Sequence, residues 1–250
     1  MNSIAYGKSE MQLFNDDCIS VLKTIPDKSV DLIITDPPYE LDNHGGGTTE
    51  LATRDLVCNT QEYVGFMSSG FDYDVVFSEF LRVCKIPNMF IFCSNKQISK
   101  IMGWFEHHNL TATLLVWAKT NPSPLCNGKH VSDLEFIIYV RGKGSTFNNS
   151  VPFEYKKKLY QSPVVSKKDR IHTAQKPVEL IKQYVELASN SGDIVLDCFM
   201  GSGSTAVACL ETDRNFIGIE IDQNYYNSAI SRINDSIEKL SSDSVRRKLF

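Results

Sequence analysis

Short runs rich in Val, Ile and Phe alternate along this chain with stretches of helical periodicity, and that alternation admits few folds. The runs at 12–15, 30–35, 89–93, 113–119, 135–141, 194–197 and 215–219 read as strands. Between them, residues 73–84 read as a helix with Asp72 as N-cap, and 96–107 as another with Ile98, Ile101, Met102 and Phe105 on one face. Pro177 at a first-turn position opens a helix over 178–188, and Tyr226, Ala229, Ile230, Ile233 and Ile237 give the last helix a continuous apolar stripe. The expected fold is α/β: a seven-stranded, largely parallel, doubly wound sheet of Rossmann-like type.

Two stretches stand outside this scheme. Residues 40–70, with the Gly45-Gly46-Gly47 run, are expected to form a mobile loop after a strand end, and residues 142–172 show little periodicity. The longest apolar stretches, such as 89–93 and 114–118, are far too short to cross a bilayer, and the polar N-terminus lacks the apolar region of a signal peptide. A cytoplasmic protein without a membrane partner is expected. Cys18, Cys58, Cys84, Cys93, Cys126, Cys198 and Cys209 form no C-x-x-C pair, and the five histidines form no H-x-x-x-H pair. Reduced core thiols and no metal fit this pattern.

The net charge of −4 speaks against indiscriminate coating of nucleic acid. Its distribution is uneven, because Lys156, Lys157, Lys158, Lys167, Lys168, Arg170 and Lys176 are offset in their segment only by Asp169. On its own the cluster reads as a solvated lysine-rich loop.

Ile194-Val-Leu-Asp-Cys-Phe-Met-Gly-Ser-Gly-Ser-Thr-Ala reads as a strand, a glycine loop and the start of a helix. Gly201 and Gly203 remove Cβ atoms where a ligand must approach the backbone. Asn215-Phe-Ile-Gly-Ile-Glu ends the next strand on Glu220, placed to accept hydrogen bonds from ribose hydroxyls, and the pairing implies an adenosine-containing cofactor. Gly201 to Ala206 also satisfies G-x-G-x-x-A, which keeps a nicotinamide enzyme in contention. Against it, Asp197, Cys198, Phe199 and Met200 separate the strand from the first glycine, and an acid at the strand end suits an ammonium group while repelling a pyrophosphate. A tight turn without a ligand is the plainest alternative.

Asp36-Pro37-Pro38-Tyr39 ends an apolar strand, where α/β folds place their sites. As a turn starter Asp-Pro is common, but the whole tetrapeptide at a strand end fits a particular chemistry. A nucleobase amine is a weak nucleophile because its lone pair is delocalised into the ring. The Asp36 carboxylate and the Pro37 carbonyl could bind both amine hydrogens, free the lone pair and stabilise the positive charge that develops during transfer. Pro37 and Pro38 restrict the backbone that carries these acceptors, and Tyr39 offers a ring face for an extruded base.

With both motifs present, the chain resembles the beta group of amino-methylating DNA methyltransferases, adenine-N6 or cytosine-N4 in type, in which D-P-P-Y precedes F-x-G-x-G. Asn15-Asp-Asp-Cys-Ile-Ser-Val-Leu resembles the family's G-D-C-x-x-x-L segment, which implies that Asp17 and the Cys18 amide contact the cofactor adenine. Ser162-Pro-Val-Val belongs to the resemblance too. His172-Thr-Ala-Gln-Lys-Pro resembles H-P-T-Q-K-P, which implies that Lys176 borders the methionine part of the cofactor. Thr173 and Ala174 depart from that element, and Cys198 and Ser204 depart from the commoner Pro and Thr of the glycine loop, so altered cofactor affinity is the expected effect.

The resemblance implies S-adenosylmethionine as cofactor, bound by Asp17, Cys18, Asp36, Lys176, Asp197, Phe199, Gly201, Ser202, Gly203, Ser204, Thr205 and Glu220. It implies catalysis by Asp36, Pro37, Pro38 and Tyr39. Residues 1–141 and 172–250 would form the catalytic domain, and 142–171 a small target-recognition region in which Lys156, Lys157, Lys158, Lys167, Lys168 and Arg170 contact phosphates. Double-stranded DNA is the expected substrate, adenine the favoured base because Asp heads the tetrapeptide, and homodimer formation is left open. The competing readings are a cytosine-N4 or RNA enzyme and a catalytically silent nucleic-acid-binding subunit of the same fold.

Overall fold

The computed structural model describes residues 1–39, 72–124, 130–166 and 175–249, with side chains to 242. The whole loop expected over 40–70, with its glycine run and Cys58, lies outside the described residues, as do Cys126, Lys167, Lys168, Arg170 and His172 to Ala174.

Among the described residues nine strands form one sheet. In chain order they are β1 (Asn2–Tyr6), β2 (Ser9–Phe14), β3 (Leu32–Thr35), β4 (Asn88–Cys93), β5 (Thr111–Lys119), β6 (Leu134–Arg141), β7 (Leu159–Ser162), β8 (Ile194–Asp197) and β9 (Asn215–Ile219). Across the sheet the order is β1-β2-β9-β8-β3-β4-β6-β5-β7. Strands β2, β9, β8, β3 and β4 run parallel, β6 runs against β4 and β5, and β7 lies parallel to β5. The described residues also form helices α1 (Cys18–Leu22), α2 (Tyr73–Val83), α3 (Ile98–His107), α4 (Val178–Ala188), α5 (Ser204–Glu211) and α6 (Gln223–Leu249), with a 3-10 turn at Phe153–Lys156.

Two cores follow from the strand pleat, since successive side chains point to opposite faces. Leu32, Ile34, Phe90 and Phe92 pack with Leu180, Tyr184, Ala206, Ala229 and Ile233, which puts α4, α5 and α6 on one face. Ile33, Met89 and Ile91 pack with Val21, Phe77, Phe80, Ile101 and Phe105, which puts α1, α2 and α3 on the other. Every residue of β3 and β4 is buried, the mark of strands covered on both sides. The doubly wound expectation is met.

All seven expected strands are present, with β1 and β7 added at the two edges of the sheet. Residues 142–166 extend the main body: β7 joins the sheet, and Phe147, Val151, Tyr160 and Val164 pack against the core. Asn148 donates to the carbonyls of Glu186 and Ser189 at 2.8 Å, and Asn88 to that of Ala188 at 2.8 Å, so side chains close the carboxyl end of α4. Asp72 caps α2 through Val75 N, as expected, and α4 spans the expected residues. Among the described residues no helix is long and apolar enough to cross a membrane.

Candidate active site at the carboxyl edge of the sheet

Because β2, β9, β8, β3 and β4 are parallel, their carboxyl ends share one edge, and that edge gathers the residues singled out in the sequence. Asp17 follows β2, Glu220 follows β9, the glycine loop follows β8 and Asp36 to Tyr39 follow β3. Neighbouring turns are tied together. Asn15 donates to the carbonyls of Glu220 at 2.8 Å and Ile221 at 3.1 Å. The Thr35 hydroxyl donates to Asp197 Oδ1 at 3.0 Å and accepts from Cys198 N at 3.2 Å, which joins the strand before the proline turn to the glycine loop.

The loop is held from inside. Asp197 is buried, and besides Thr35 it accepts from Phe199 N at 3.1 Å and from the Thr205 hydroxyl at 2.7 Å. Burial raises its carboxyl to about 7, with these donors opposing the rise. The hydroxyls of Ser202, Ser204 and Thr205, expected at the cofactor, also have partners within the protein. Ser204 donates to the Lys176 carbonyl at 2.9 Å, and Arg232 of α6 donates to Ser202 O at 3.0 Å, Ser202 Oγ at 3.2 Å and Ser204 Oγ at 3.0 Å. Gly201 and Gly203 have φ of +49° and +74°, the left-handed region that favours glycine. At Gly203 a Cβ would come within 3.2 Å of Ala229 Cβ, so helix packing is a second reason for that glycine.

Glu220 accepts from Gly201 N and Asp222 N, each at 2.9 Å, and thereby braces the loop from the neighbouring strand. Burial raises its carboxyl, with the two amides opposing. Asp17 caps α1 by accepting from Ser20 N at 2.9 Å, and Cys18 is buried beside it. All five described cysteines are buried and free, and burial pushes the Cys18, Cys84 and Cys93 thiols up to about 12.

Asp36 belongs to a chain of alternating charges. Lys176, which the resemblance put beside the methionine part of the cofactor, brings Nζ to 2.7 Å from Asp36 Oδ2 and 2.9 Å from Glu135 Oε2. Lys119 pairs with the other Glu135 oxygen at 2.8 Å. Lys176 is 6% exposed while Asp36 keeps 24% of its side-chain surface open, so the lysine forms the floor and the acid the rim. Asp36 Oδ1 is buried with no hydrogen-bond partner among the described residues. Burial raises the Asp36 carboxyl, Lys176 opposes the rise and Glu135 adds to it. Burial works against the charges of Glu135 and Lys176 too, but the two lysines hold the Glu135 carboxyl down, and the two carboxylates hold the proton on Lys176. Nζ also lies 5.4 Å from the centre of the Tyr39 ring and 3.4 Å from its hydroxyl. Gln97, fully buried, donates to the Pro38 carbonyl at 3.1 Å and steadies the turn.

Residues 30–231, from the strand before the proline turn to the last helix, match the DNA methylase family of N6 and N4 type. The chain belongs to this family. It is 28% identical over 256 residues to the type II methyltransferase M.HinfI of Haemophilus influenzae, covering 89% of this chain and 68% of that protein. It is also 28% identical over 260 residues to the type II methyltransferase M.HpaI of Haemophilus parainfluenzae, covering 96% and 79%. The crystal structure of M1.HpyAVI in complex with SAM superposes with a TM-score of 0.63 at 30% identity, covering 89% of this chain and 99% of that one. Against the cytosine-N4-specific PvuII DNA methyltransferase the TM-score is 0.66 at 14% identity over 92% of each chain, a likeness of fold alone.

Within this DNA methylase, Asp36, Pro37, Pro38, Tyr39, Lys176, Asp197, the glycine loop, Asp17, Cys18 and Glu220 share one sheet edge. The basic cluster is divided. Lys156, Lys157 and Lys158 precede β7, at the opposite end of that strand from Ser162 and the site edge. Lys156 donates to the Asn149 carbonyl at 2.6 Å and Lys157 pairs with Glu154 at 2.6 Å. Sequence reasoning missed Glu135, Lys119, Gln97, Arg232 and Thr35. A signal existed for Glu135 alone, as a carboxylate inside the apolar run of β6. Among the described residues no group of three or more His, Cys, Asp or Glu side chains could hold a metal ion.

Proposed function

We propose that this DNA methylase transfers a methyl group from S-adenosylmethionine to the exocyclic N6 amine of adenine in double-stranded DNA, as a member of the beta group. The observation that carries the reading is Asp36 Oδ1, a buried acceptor without a partner among the described residues, at the end of the strand that pairs with β8, ahead of the glycine loop. A buried acceptor left unpaired is costly, and an amine hydrogen would satisfy it.

The residues present fit the cofactor. Two left-handed glycines shape a loop whose main chain a ligand can approach, and the acids Asp17 and Glu220 follow neighbouring strands joined by Asn15. Bound there, S-adenosylmethionine supplies a methyl group activated by its sulfonium charge. In this reading Asp17 and the Cys18 amide take the adenine, Glu220 the ribose, and the loop from Phe199 to Thr205 contributes its backbone. Asp197 shapes that loop from behind. Asp36 Oδ1 and the Pro37 carbonyl draw the amine hydrogens, and their negative charge stabilises the nitrogen as it becomes positive. Pro37, Pro38 and the Gln97 hydrogen bond limit reorganisation of these acceptors. Tyr39 stacks on a base turned out of the duplex, with Lys176 fixing the ring from one side. Residues 142–171 read the target, and because Lys156 to Lys158 stand away from the site edge, Lys167, Lys168 and Arg170 carry more of the phosphate contact. Adenine is favoured over cytosine because an Asp heads the tetrapeptide.

Expression in a host that lacks DNA methylation, followed by single-molecule sequencing, tests this reading. We expect modified adenines confined to one short motif, and none when Asp36→Asn is expressed at the same level. N4-methylcytosine, or unmodified DNA from the unaltered chain, would overturn it.

A further inference from the structure

Beyond the residues that meet base and cofactor, the site contains a carboxylate with no assigned task. Glu135 is a charge set in the apolar strand β6, opposite Trp117 of β5, and it reaches the floor of the site, where Lys176 and Lys119 take its two oxygens at 2.9 and 2.8 Å. Buried ion pairs of this kind are poor sources of stability, since desolvation consumes most of what the attraction returns, and well-packed apolar side chains would serve the sheet as well. Their arrangement around Asp36 is what an apolar replacement could not reproduce.

Lys176 poses an electrostatic problem for the proposed reaction. Its ammonium group sits 2.7 Å from the carboxylate that must stabilise a nitrogen becoming positive, and undivided it would neutralise that carboxylate. We propose that Glu135, held in turn by Lys119, is a positioning residue: it takes a share of the Lys176 charge and holds the ammonium on Asp36 Oδ2, so that Oδ1 stays unpaired and negative for the amine. This rests on the reading of Asp36 as the amine acceptor. Lys176 thus orients Asp36, and Glu135 preserves its strength as an acceptor. Among the described residues, the charged and titratable groups around Asp36 are Lys176 ahead of α4, Glu135 on β6, Tyr39 on its own turn, Cys93 at the end of β4 and Asp197 at the end of β8. The negative charge of Glu135 raises the Asp36 carboxyl and the positive charge of Lys176 lowers it, so removing each should act in opposite directions.

The test is single-turnover transfer of a radiolabelled methyl group from S-adenosylmethionine to duplex DNA by the full chain, measured across pH. Glu135→Gln keeps the shape and loses the charge. We expect its plateau rate to fall about tenfold or more, with the acid limb of its profile moved to lower pH. Lys176→Gln should move the same limb to higher pH. Glu135→Asp should restore the position of the limb even where the shorter side chain lowers the rate, and it keeps the test open if Glu135→Gln folds poorly. Asp197 also titrates and feels the charge of Asp36, so the limb is compared between variants and is not read as the titration of Asp36 alone. Glu135→Gln with an unaltered rate and an unmoved limb would overturn the proposal, as would a slower Glu135→Gln enzyme with an unmoved limb, the result of a merely structural role. Failure of the underlying reading is separate: Asp36→Asn would then retain transfer.

Discussion

Asp36, Asp197 and Glu220 are three carboxylates on one edge of the sheet, and their partners give them two different tasks. Asp197 accepts from three donors of the chain and Glu220 from two backbone amides, so both act as braces, whereas Asp36 keeps an oxygen without a partner among the described residues. Burial lifts the Asp197 carboxyl from 3.8 to about 7, which means that the folded chain holds this proton more tightly than the unfolded chain. The stabilisation from that proton is complete below about pH 4 and is lost as pH rises through about 7. Asn offers Thr35 and Phe199 N the same acceptor without the charge. Asp197→Asn should therefore match the unaltered chain in melting temperature below about pH 4 and exceed it at about pH 8, a difference readable by calorimetry. A difference that stays constant with pH would contradict the assigned environment. Asp36 and the two glycines were legible in the sequence because each stands in a short contiguous motif. Glu135, Lys119 and Gln97 were not, because their role depends on antiparallel pairing and helix placement that bring distant residues together, as in the register of Trp117 with Glu135.

The unit formed by β8, the glycine loop and α5 was read correctly as strand, loop and helix, but its support was not. The hydroxyl and carboxylate contacts within the protein could not be inferred from the motif, because Ser202, Ser204, Thr205 and Asp197 look equally suited to face a ligand or the protein. Arg232, about 30 residues away on α6, supplies three of the contacts. Arg232→Met should leave the helical content unchanged and weaken binding of S-adenosylmethionine by about tenfold, or ~1.4 kcal/mol, measured by titration calorimetry. Unchanged affinity would show that the loop holds its shape without the clamp. The two strands absent from the sequence reading are edge strands. Residues of β1 are mostly exposed and β7 has only four residues, so neither carries the buried apolar run by which the inner strands are recognised.

At the scale of the molecule, parallel order makes the site. The proline turn and the glycine loop are about 160 residues apart, yet β3 and β8 are neighbours with Ile33 opposite Leu196, so both turns emerge side by side. The sequence motifs implied that meeting through the family's resemblance, and the sheet accounts for it by pairing β3 and β8 in parallel, so that both end on the same edge. The basic cluster was less legible, because a run of like charges gives no sign that β7 passes through it and carries Lys156 to Lys158 away from the site edge. The central claim is methyl transfer to an adenine amine, and its most direct measurement is on the product. Duplex DNA incubated with the chain and S-adenosylmethionine carrying a radiolabelled methyl group, then digested to nucleosides and chromatographed, should yield label in N6-methyldeoxyadenosine alone. Label in N4-methyldeoxycytidine, or in no nucleoside, would contradict it.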